Sequence, residues 1–509
     1  MRKSLLTSFH HLTCVNTNCF FAHRALSIGS SAQNFQENAI TRNLGQPTAY
    51  THPFLLNKGE VTPGLTKEDY EERRSALIRI INAVSKKQKN DKEEKGNVVI
   101  LFGEPIKYMS EDIPYPFHQN TNFRYLTGFL EPDSCLILDS RSVEESSTHK
   151  STLLVQERDS HKELWHGARA GTDGAVEHTG IDHAEGMQHL SNILKKYLSE
   201  NYDIWYDFQR PTNLELHMNH MRSFLTDAFK KKLKIRSIND AIHQQRHIKT
   251  NKEIVLMMEA GRITAEAFKQ TIPFSSPDIN EGTVQALLDC ECRVRGAQML
   301  AYPPVVAGGN RANTLHYIFN NQRIKDGELV LVDAGAEYHG YVADITRTWP
   351  VNGKFSPAQR TLYEAVLKTQ RACISLCKPG NTLDQIYNAM AMLIVQELMA
   401  NKIIKRKPKG HETYEVARKY CPHHVSHWLG MDVHDTQCVP RSIPLTPGMV
   451  VTVEPGIYIR EDDIDVAEEY RGIGIRIEDD VAVTSDGPLV LTGACPKDVD
   501  EIELLMSNT

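Results

Sequence analysis

The sequence predicts an α/β N-terminal domain followed by an α+β domain with much antiparallel sheet. Three observations carry this. Between residues 97 and 206, short apolar strand segments alternate with helical or loop segments, the pattern of an α/β layer. From about residue 245 onward, long amphipathic helices alternate with β-hairpin signals, the pattern of an α+β unit. The length of 509 residues exceeds what one hydrophobic core supports and suits two or three domains.

Taken in order, the first 50 residues stand apart. They hold Arg2, Lys3, Arg24 and Arg42 against the single acid Glu37, a surplus of three positive charges in a chain of net charge −6. Residues 1–36 contain no acid, and Leu5, Leu6, Phe9, Leu12, Phe20, Phe21 and Leu26 are interspersed with Ser and Thr. That is transit-peptide composition, a basic amphipathic face presented to an import machinery and a negative-inside membrane. A secretory signal fits less well, because His10, His11, Asn16 and Asn18 interrupt every apolar stretch. The expected address is the mitochondrial matrix, with an additional cytosolic pool left open and processing somewhere between about residues 25 and 55.

The N-terminal domain, residues 51–245, opens with a helix over 67–84, followed by a solvated loop over 86–97. Strands are expected at 97–102, 134–138, 151–155 and 204–206, and Ser142 to Lys150 reads as a surface hairpin tip. The second domain, residues 246–509, opens at Thr250-Asn251-Lys252-Glu253, a capping box that starts a helix burying Ile254, Met257, Met258 and Gly261. Further helices are expected over 281–296, 357–376 and 382–400. No apolar run approaches the roughly 20 residues of a membrane span, and no basic stripe suits a nucleic-acid backbone, so membrane insertion and nucleic-acid binding are not expected. The ten cysteines are scattered without zinc spacing and read as small buried hydrophobes, Cys373 and Cys377 among them.

The acids of the second domain carry the chemistry. Two strands, 329–335 and 341–347, flank the turn-like Glu337-Tyr338-His339-Gly340. With Tyr338 and His339 as the loop, Asp333 falls directly opposite Asp344, a destabilising pair unless cations offset it. Glu454 ends an apolar strand stopped by Pro455-Gly456. In the alternating stretch 472–480, Arg476 and Glu478 share a face. His423, His424, His427 and His434 fall within twelve residues. One imidazole and four carboxylates without a thiolate form a ligand set for two divalent cations such as Mn²⁺, Co²⁺, Fe²⁺ or Zn²⁺. Such a two-metal site activates water near neutral pH.

The order Asp333, Asp344, His427, Glu454, Glu478, in the contexts V-D-A-G, A-D-I-T-R-T-W, S-H-W-L-G-M-D-V-H-D, V-E-P-G-I-Y and I-R-I-E-D-D, resembles the pita-bread metallopeptidases, and within them aminopeptidase P. Phe123-Arg124-Tyr125-Leu126-Thr127-Gly128-Phe129 and Glu163-Leu164-Trp165-His166-Gly167 extend the likeness into the first domain, and the basic leader points to the mitochondrial branch. The resemblance implies an α/β N-terminal domain of the aminopeptidase P type and a pita-bread catalytic domain that removes the N-terminal residue ahead of proline. It implies that Asp333 chelates one metal, that His427 and Glu454 hold the other, and that Asp344 and Glu478 bridge the two, Mn²⁺ being the expected ion. It further implies that Tyr302, His316 and His434 contact substrate and that His423, Tyr458 and Arg476 lie toward the proline. His316, His434 and Glu454 are the expected catalytic groups, Glu454 as proton shuttle. A homodimer, with Trp165 reaching a neighbouring subunit's site, follows from the resemblance alone. Two other readings remain: a prolidase-type dipeptidase, and a pseudo-enzyme of the same fold acting as a binding module.

Overall fold

The helix Lys67–Lys87 begins where Asp69 accepts the Thr66 backbone N–H at 2.7 Å, and it buries Leu77, Ile78 and Ile81 against the first sheet. It lies in a computed structural model that describes residues 41–87, 96–141, 148–199, 202–405 and 408–507. Among these residues, six strands form one mixed sheet in the order His183–Gly186, Lys150–Val155, Cys135–Asp139, Gly96–Phe102, Tyr202–Trp205 and Ile235–Arg236. Gly96–Phe102 pairs antiparallel with Cys135–Asp139 and parallel with Tyr202–Trp205. Every residue of this central strand is buried, which is why Val98-Val99-Ile100-Leu101-Phe102 reads as a continuous apolar run rather than an alternation.

The second half is antiparallel in all of its described strand pairs. Val305–Gly308, Leu329–Ala334 and Ile345–Pro350 make one three-stranded sheet. Val450–Val453, Asp479–Thr484 and Gly487–Val490 make another, and Gly456–Tyr458 pairs with Gly474–Arg476. The helices Asn251–Phe274, Glu281–Val294, Pro357–Leu376 and Leu383–Ala400 contribute to the same core, where Phe268, Leu288, Leu362 and Ile386 join Val332, Trp349, Val451 and Ile475. Three of these helices open with a full capping box: Thr250 with Glu253, Ser356 with Gln359 and Thr382 with Gln385.

Several expectations need correction. The helix Asn251–Phe274 turns Leu256, Met257, Ala260 and Gly261 inward, while Met258 is 42% exposed and Ile254 only half-buried. Glu253 belongs to the buried face, held there by Arg73 at 3.2 Å and Tyr341 at 3.0 Å, and residues on its side of the helix go inward with it. The first helix runs on to Lys87 and the first central strand begins at Gly96, so both take residues from the expected loop 86–97, and the rest of that loop lies outside the described residues. Cys373 and Cys377 are buried as expected, but Cys290 and Cys438 are exposed. Residues 1–40, with Cys14 and Cys19, and residues 142–147 of the hairpin tip also lie outside the described residues. Within the expected leader, Leu44 is buried and Arg42 donates to the Arg169 carbonyl at 2.9 Å. No helix among the described residues is long and apolar enough to cross a membrane.

Contacts between the two halves are largely buried and charged. Arg73 donates to Tyr341 at 2.9 Å, Arg124 pairs with Glu337 at 2.9 Å, and His118 meets the same carboxylate at 2.7 Å.

Candidate metal centre and substrate cavity

The strand Leu329–Ala334 pairs with Ile345–Pro350 so that Asp333 stands opposite Thr346, not opposite Asp344 as expected. The two-residue turn is His339-Gly340, with φ of 49° and 88°, rather than Tyr338-His339. A tight hairpin turn that matches strand twist needs positive φ at both central residues, and glycine takes the second at no cost. Displacing the turn by one residue moves each cross-strand partner by two, so Asp344 is displaced along the strand but keeps the face of Asp333. The acids remain neighbours: the Tyr302 hydroxyl contacts Asp333 Oδ1 at 2.6 Å and also Asp344 Oδ1.

Thr346 organises the next layer. Its hydroxyl donates to Glu478 Oε2 at 2.6 Å and accepts from Arg476 Nε at 3.0 Å. Arg476 and Glu478 therefore share a face, as the alternation predicts. Arg476 also donates to Asp333 Oδ2 at 2.6 Å and to the Tyr458 hydroxyl at 2.9 Å. Glu454 follows the strand Val450–Val453, its N–H bonded to the Val425 carbonyl at 2.9 Å.

His427 arrives from a segment hydrogen-bonded to that strand. Its Nδ1 lies 3.1 Å from the Trp428 carbonyl, and its Nε2 lies 3.4 Å from Asp344 Oδ2 and 3.7 Å from Glu454 Oε1. With Nδ1–H donating to the carbonyl, Nε2 faces the carboxylates, the usual orientation of a metal-ligating imidazole. Ligand atoms of Asp344, His427 and Glu478 lie within 4.8 Å of one another. Asp333 and Glu454 adjoin this trio through Tyr302 and His427.

The electrostatics show a shortage of positive charge. Burial, then the charges of Asp344, Glu454 and Asp333, hold Glu478 well above the usual carboxylate range. Burial raises Glu454 to about 7 against His427 and Arg476, and raises Asp333 against Arg476. Burial opposes charge on His427, but contact with Asp344 and the charge of Glu454 prevail and lift it to about 9. In this chain, four acids are offset by one fixed guanidinium. A hard-donor cluster in that condition, with an imidazole whose Nε2 proton a cation would replace, fits divalent cations.

A cavity of about 860 Å³ opens over the cluster, lined by Asp333, Asp344, His427, Glu454 and Glu478 together with Tyr302, His316, His423, His434 and Arg476. His316 and His434 are exposed to it, and the His434 ring stands edge-on to His427 at 4.5 Å between centroids. Tyr458 is not part of the lining but backs it, its hydroxyl 2.9 Å from His423 Nε2. Burial, then the charge of Arg476, pushes His423 down to about 4, so its ring is neutral. Leu315, Ile318, Val433 and Val439 supply apolar wall.

Two site residues escaped sequence reasoning. Thr346 lies two places from Asp344, so strand alternation already put it on the acids' face. Asp480 lies two places from Glu478; it is buried, and its Oδ2 accepts the Asp344 N–H at 3.0 Å.

The description "Metallopeptidase family M24" matches residues 255–485, and "Aminopeptidase P, N-terminal domain" matches residues 70–205. The chain is 50% identical over 478 residues to Xaa-Pro aminopeptidase 3 of Homo sapiens, covering 94% of this chain and 93% of that protein. It is 36% identical to the mitochondrial intermediate cleaving peptidase 55 of Arabidopsis thaliana, covering 94% of this chain and 90% of the relative. The structure of Zn-substituted aminopeptidase P from E. coli in complex with product superposes with a TM-score of 0.77 at 33% identity, covering 87% of this chain and 99% of that one. An aminopeptidase P-type α/β domain thus precedes a pita-bread domain bearing the acid and histidine cluster, and the chain belongs to the aminopeptidase P branch of metallopeptidase family M24.

Proposed function

We propose that this chain is a metallo-aminopeptidase that removes the N-terminal residue from peptides with proline in second place. The observation that carries the reading is the convergence of four acids, Asp344 and Glu478 buried and Asp333 and Glu454 half-buried, and His427 on one open cavity, with Arg476 as their fixed counter-charge. Asp333, Asp344, His427, Glu454 and Glu478 would hold two divalent ions, Mn²⁺ by preference. Bound divalent cations supply activated water and polarise the scissile carbonyl.

The chain's own groups do the rest. His434, exposed beside His427, donates to the carbonyl oxygen as charge develops there. An Xaa-Pro bond has no N–H, and its nitrogen must gain a proton to leave. Glu454, with Oε2 3.6 Å from His423 and Oε1 3.7 Å from His427, carries that proton. Leu315 and Ile318 offer the proline ring an apolar surface, with His316 beside them, and His423, Tyr458 and Arg476 form a hydrogen-bonded wall toward it. Tyr302 fixes the spacing of Asp333 and Asp344 while lining the substrate side.

We further infer a homodimer, supported by Leu164 and Trp165, which are 78% and 72% exposed on the short helix Ser160–His166. Light scattering on purified protein tests it. The basic leader, acid-free over residues 1–36, and the mitochondrial relative support import into the matrix; a reporter fused to residues 1–50 that stays diffuse in the cytosol would defeat this. The function itself is tested by release of glycine from a Gly-Pro-Pro peptide with added Mn²⁺, alongside Asp344→Ala. Equal activity in variant and wild type would overturn it, and cleavage confined to Xaa-Pro dipeptides would favour the prolidase reading.

A further inference from the structure

The segment His427 to Asp435 is anchored from two parts of the molecule, and its ends are tied to each other where Asp435 N donates to Trp428 O at 2.9 Å. Its first half is tied to the strand Val450–Val453. There, Thr452 N donates to His427 O at 3.1 Å, His427 N donates to Thr452 Oγ1 at 3.2 Å, and Leu429 N donates to Val450 O at 3.1 Å. Its second half is held from the stretch that joins the two halves of the chain. Asp435 is buried and accepts from Arg246 at 2.5 Å and from Lys249 at 3.2 Å. Arg246 also donates to Asp432 at 2.8 Å and to Asn122 Oδ1 at 2.6 Å, and Thr121 donates to Asp432 at 3.0 Å.

His434 sits between these anchors. Its ring is exposed and lies against His427, so its placement is inherited from the backbone at Asp435. That backbone is tightly determined. Thr436 is held at φ 41°, a left-handed conformation unfavourable for a β-branched residue. A Cβ on Gly430 would stand 2.2 Å from Asp435 Oδ2. A buried ion pair is weak as a source of stability, since desolvation offsets most of its attraction. What the Asp435 cluster supplies here is geometry.

We propose that Asp435, clamped by Arg246 and Lys249, is a positioning residue for His434, and that through Asp432, Thr121 and Asn122 the N-terminal domain sets the placement of this substrate-facing histidine. The proposal rests on the assignment of His434 to the substrate site. Because His427 has its own anchorage on Thr452, loosening the side-chain clamp displaces His434 more than the cation ligands.

The test compares wild type, His434→Gln, Asp435→Asn and the double variant of the full chain, reading kcat and KM on a Gly-Pro-Pro peptide, melting temperature, and Mn²⁺ affinity by calorimetry. Asp435→Asn is expected to lower kcat about tenfold or more, as misplacement of a contact group does, with Mn²⁺ affinity within about twofold of wild type. The double variant is expected to lose no more than His434→Gln alone, because residues acting as a unit are not additive. Should Asp435→Asn fail to fold, Asp432→Asn takes its place, its side chain being 42% exposed; a smaller loss that vanishes in the His434→Gln background supports the proposal equally. Additive losses, or Mn²⁺ affinity falling in step with kcat, overturn the clamp. A His434→Gln enzyme with unchanged kcat and KM overturns the assignment of His434 itself, an outcome distinct from the other two.

Discussion

Thr346 donates its hydroxyl to Glu478 at 2.6 Å from a strand position directly opposite Asp333, so one small side chain stands between two acids that lie far apart in the sequence. Thr346→Val keeps the shape and removes both the donor to Glu478 and the acceptor for Arg476. Leaving buried polar groups unpartnered costs about 1–3 kcal/mol, and loss of an outer partner of a ligand weakens metal affinity about 10–100-fold. Calorimetric titration with Mn²⁺ and thermal melting read the two effects separately. Wild-type Mn²⁺ affinity in the variant would show that Thr346 has no such supporting role.

Removing cations should destabilise as well as inactivate. A ligand at a hundredfold its dissociation constant adds about 2.7 kcal/mol to the folded state. Chelator-treated protein is expected to melt earlier, and Mn²⁺ is expected to restore the melting temperature and the activity together. Asp344→Ala should show neither response.

Arg73 lies between the two halves of the chain, bonded to the Tyr125 carbonyl, the Tyr341 hydroxyl and Glu253, all buried. Arg73→Met leaves Glu253 without its cation. Stranding one partner of a buried pair costs about 3–5 kcal/mol, which chemical denaturation at neutral pH measures. A change below about 1 kcal/mol would mean that Glu253 is adequately held by Thr250 and Tyr341.

The His118–Glu337 contact predicts a pH profile. The hydrogen bond that His118 donates to the Glu337 carboxylate raises His118 above its usual value. Stability from this group is therefore complete below about pH 6.5 and lost as pH rises through the raised folded value. For Glu337, burial is outweighed by His118 and Arg124, and its pKa is lowered, so its contribution is present above the usual Glu range and lost as pH falls below it. His118 is partly exposed, which limits its share to below about 1 kcal/mol. The melting temperature of wild type should fall as pH rises above about 6.5, and His118→Gln should flatten that flank.

Local rules were readable and long-range ones were not. The capping box at Thr250, the strand alternation placing Arg476 beside Glu478, and the buried Cys373 and Cys377 each depend on residues within one element. The hairpin register turned on whether Tyr338-His339 or His339-Gly340 makes the turn; glycine's tolerance of positive φ selects the second. The inward face of the helix Asn251–Phe274 includes Glu253, whose partners Arg73 and Tyr341 lie on other elements that helical periodicity does not see. The same holds for Asp435, whose buried partners lie 186 or more residues away.

The hairpin also constrains how this chain can change in length. Residues added inside the His339-Gly340 loop only enlarge it, and the facing arms keep their partners. A single residue inserted between Gly340 and Asp344, with the turn retained, would send Asp344 to the opposite face of the sheet, because strand side chains alternate with a period of two. Along that short arm, only insertions or deletions of two residues at a time preserve the meeting of Asp333 and Asp344. The length of the hairpin arm is thus as much a part of the site as the acids it carries.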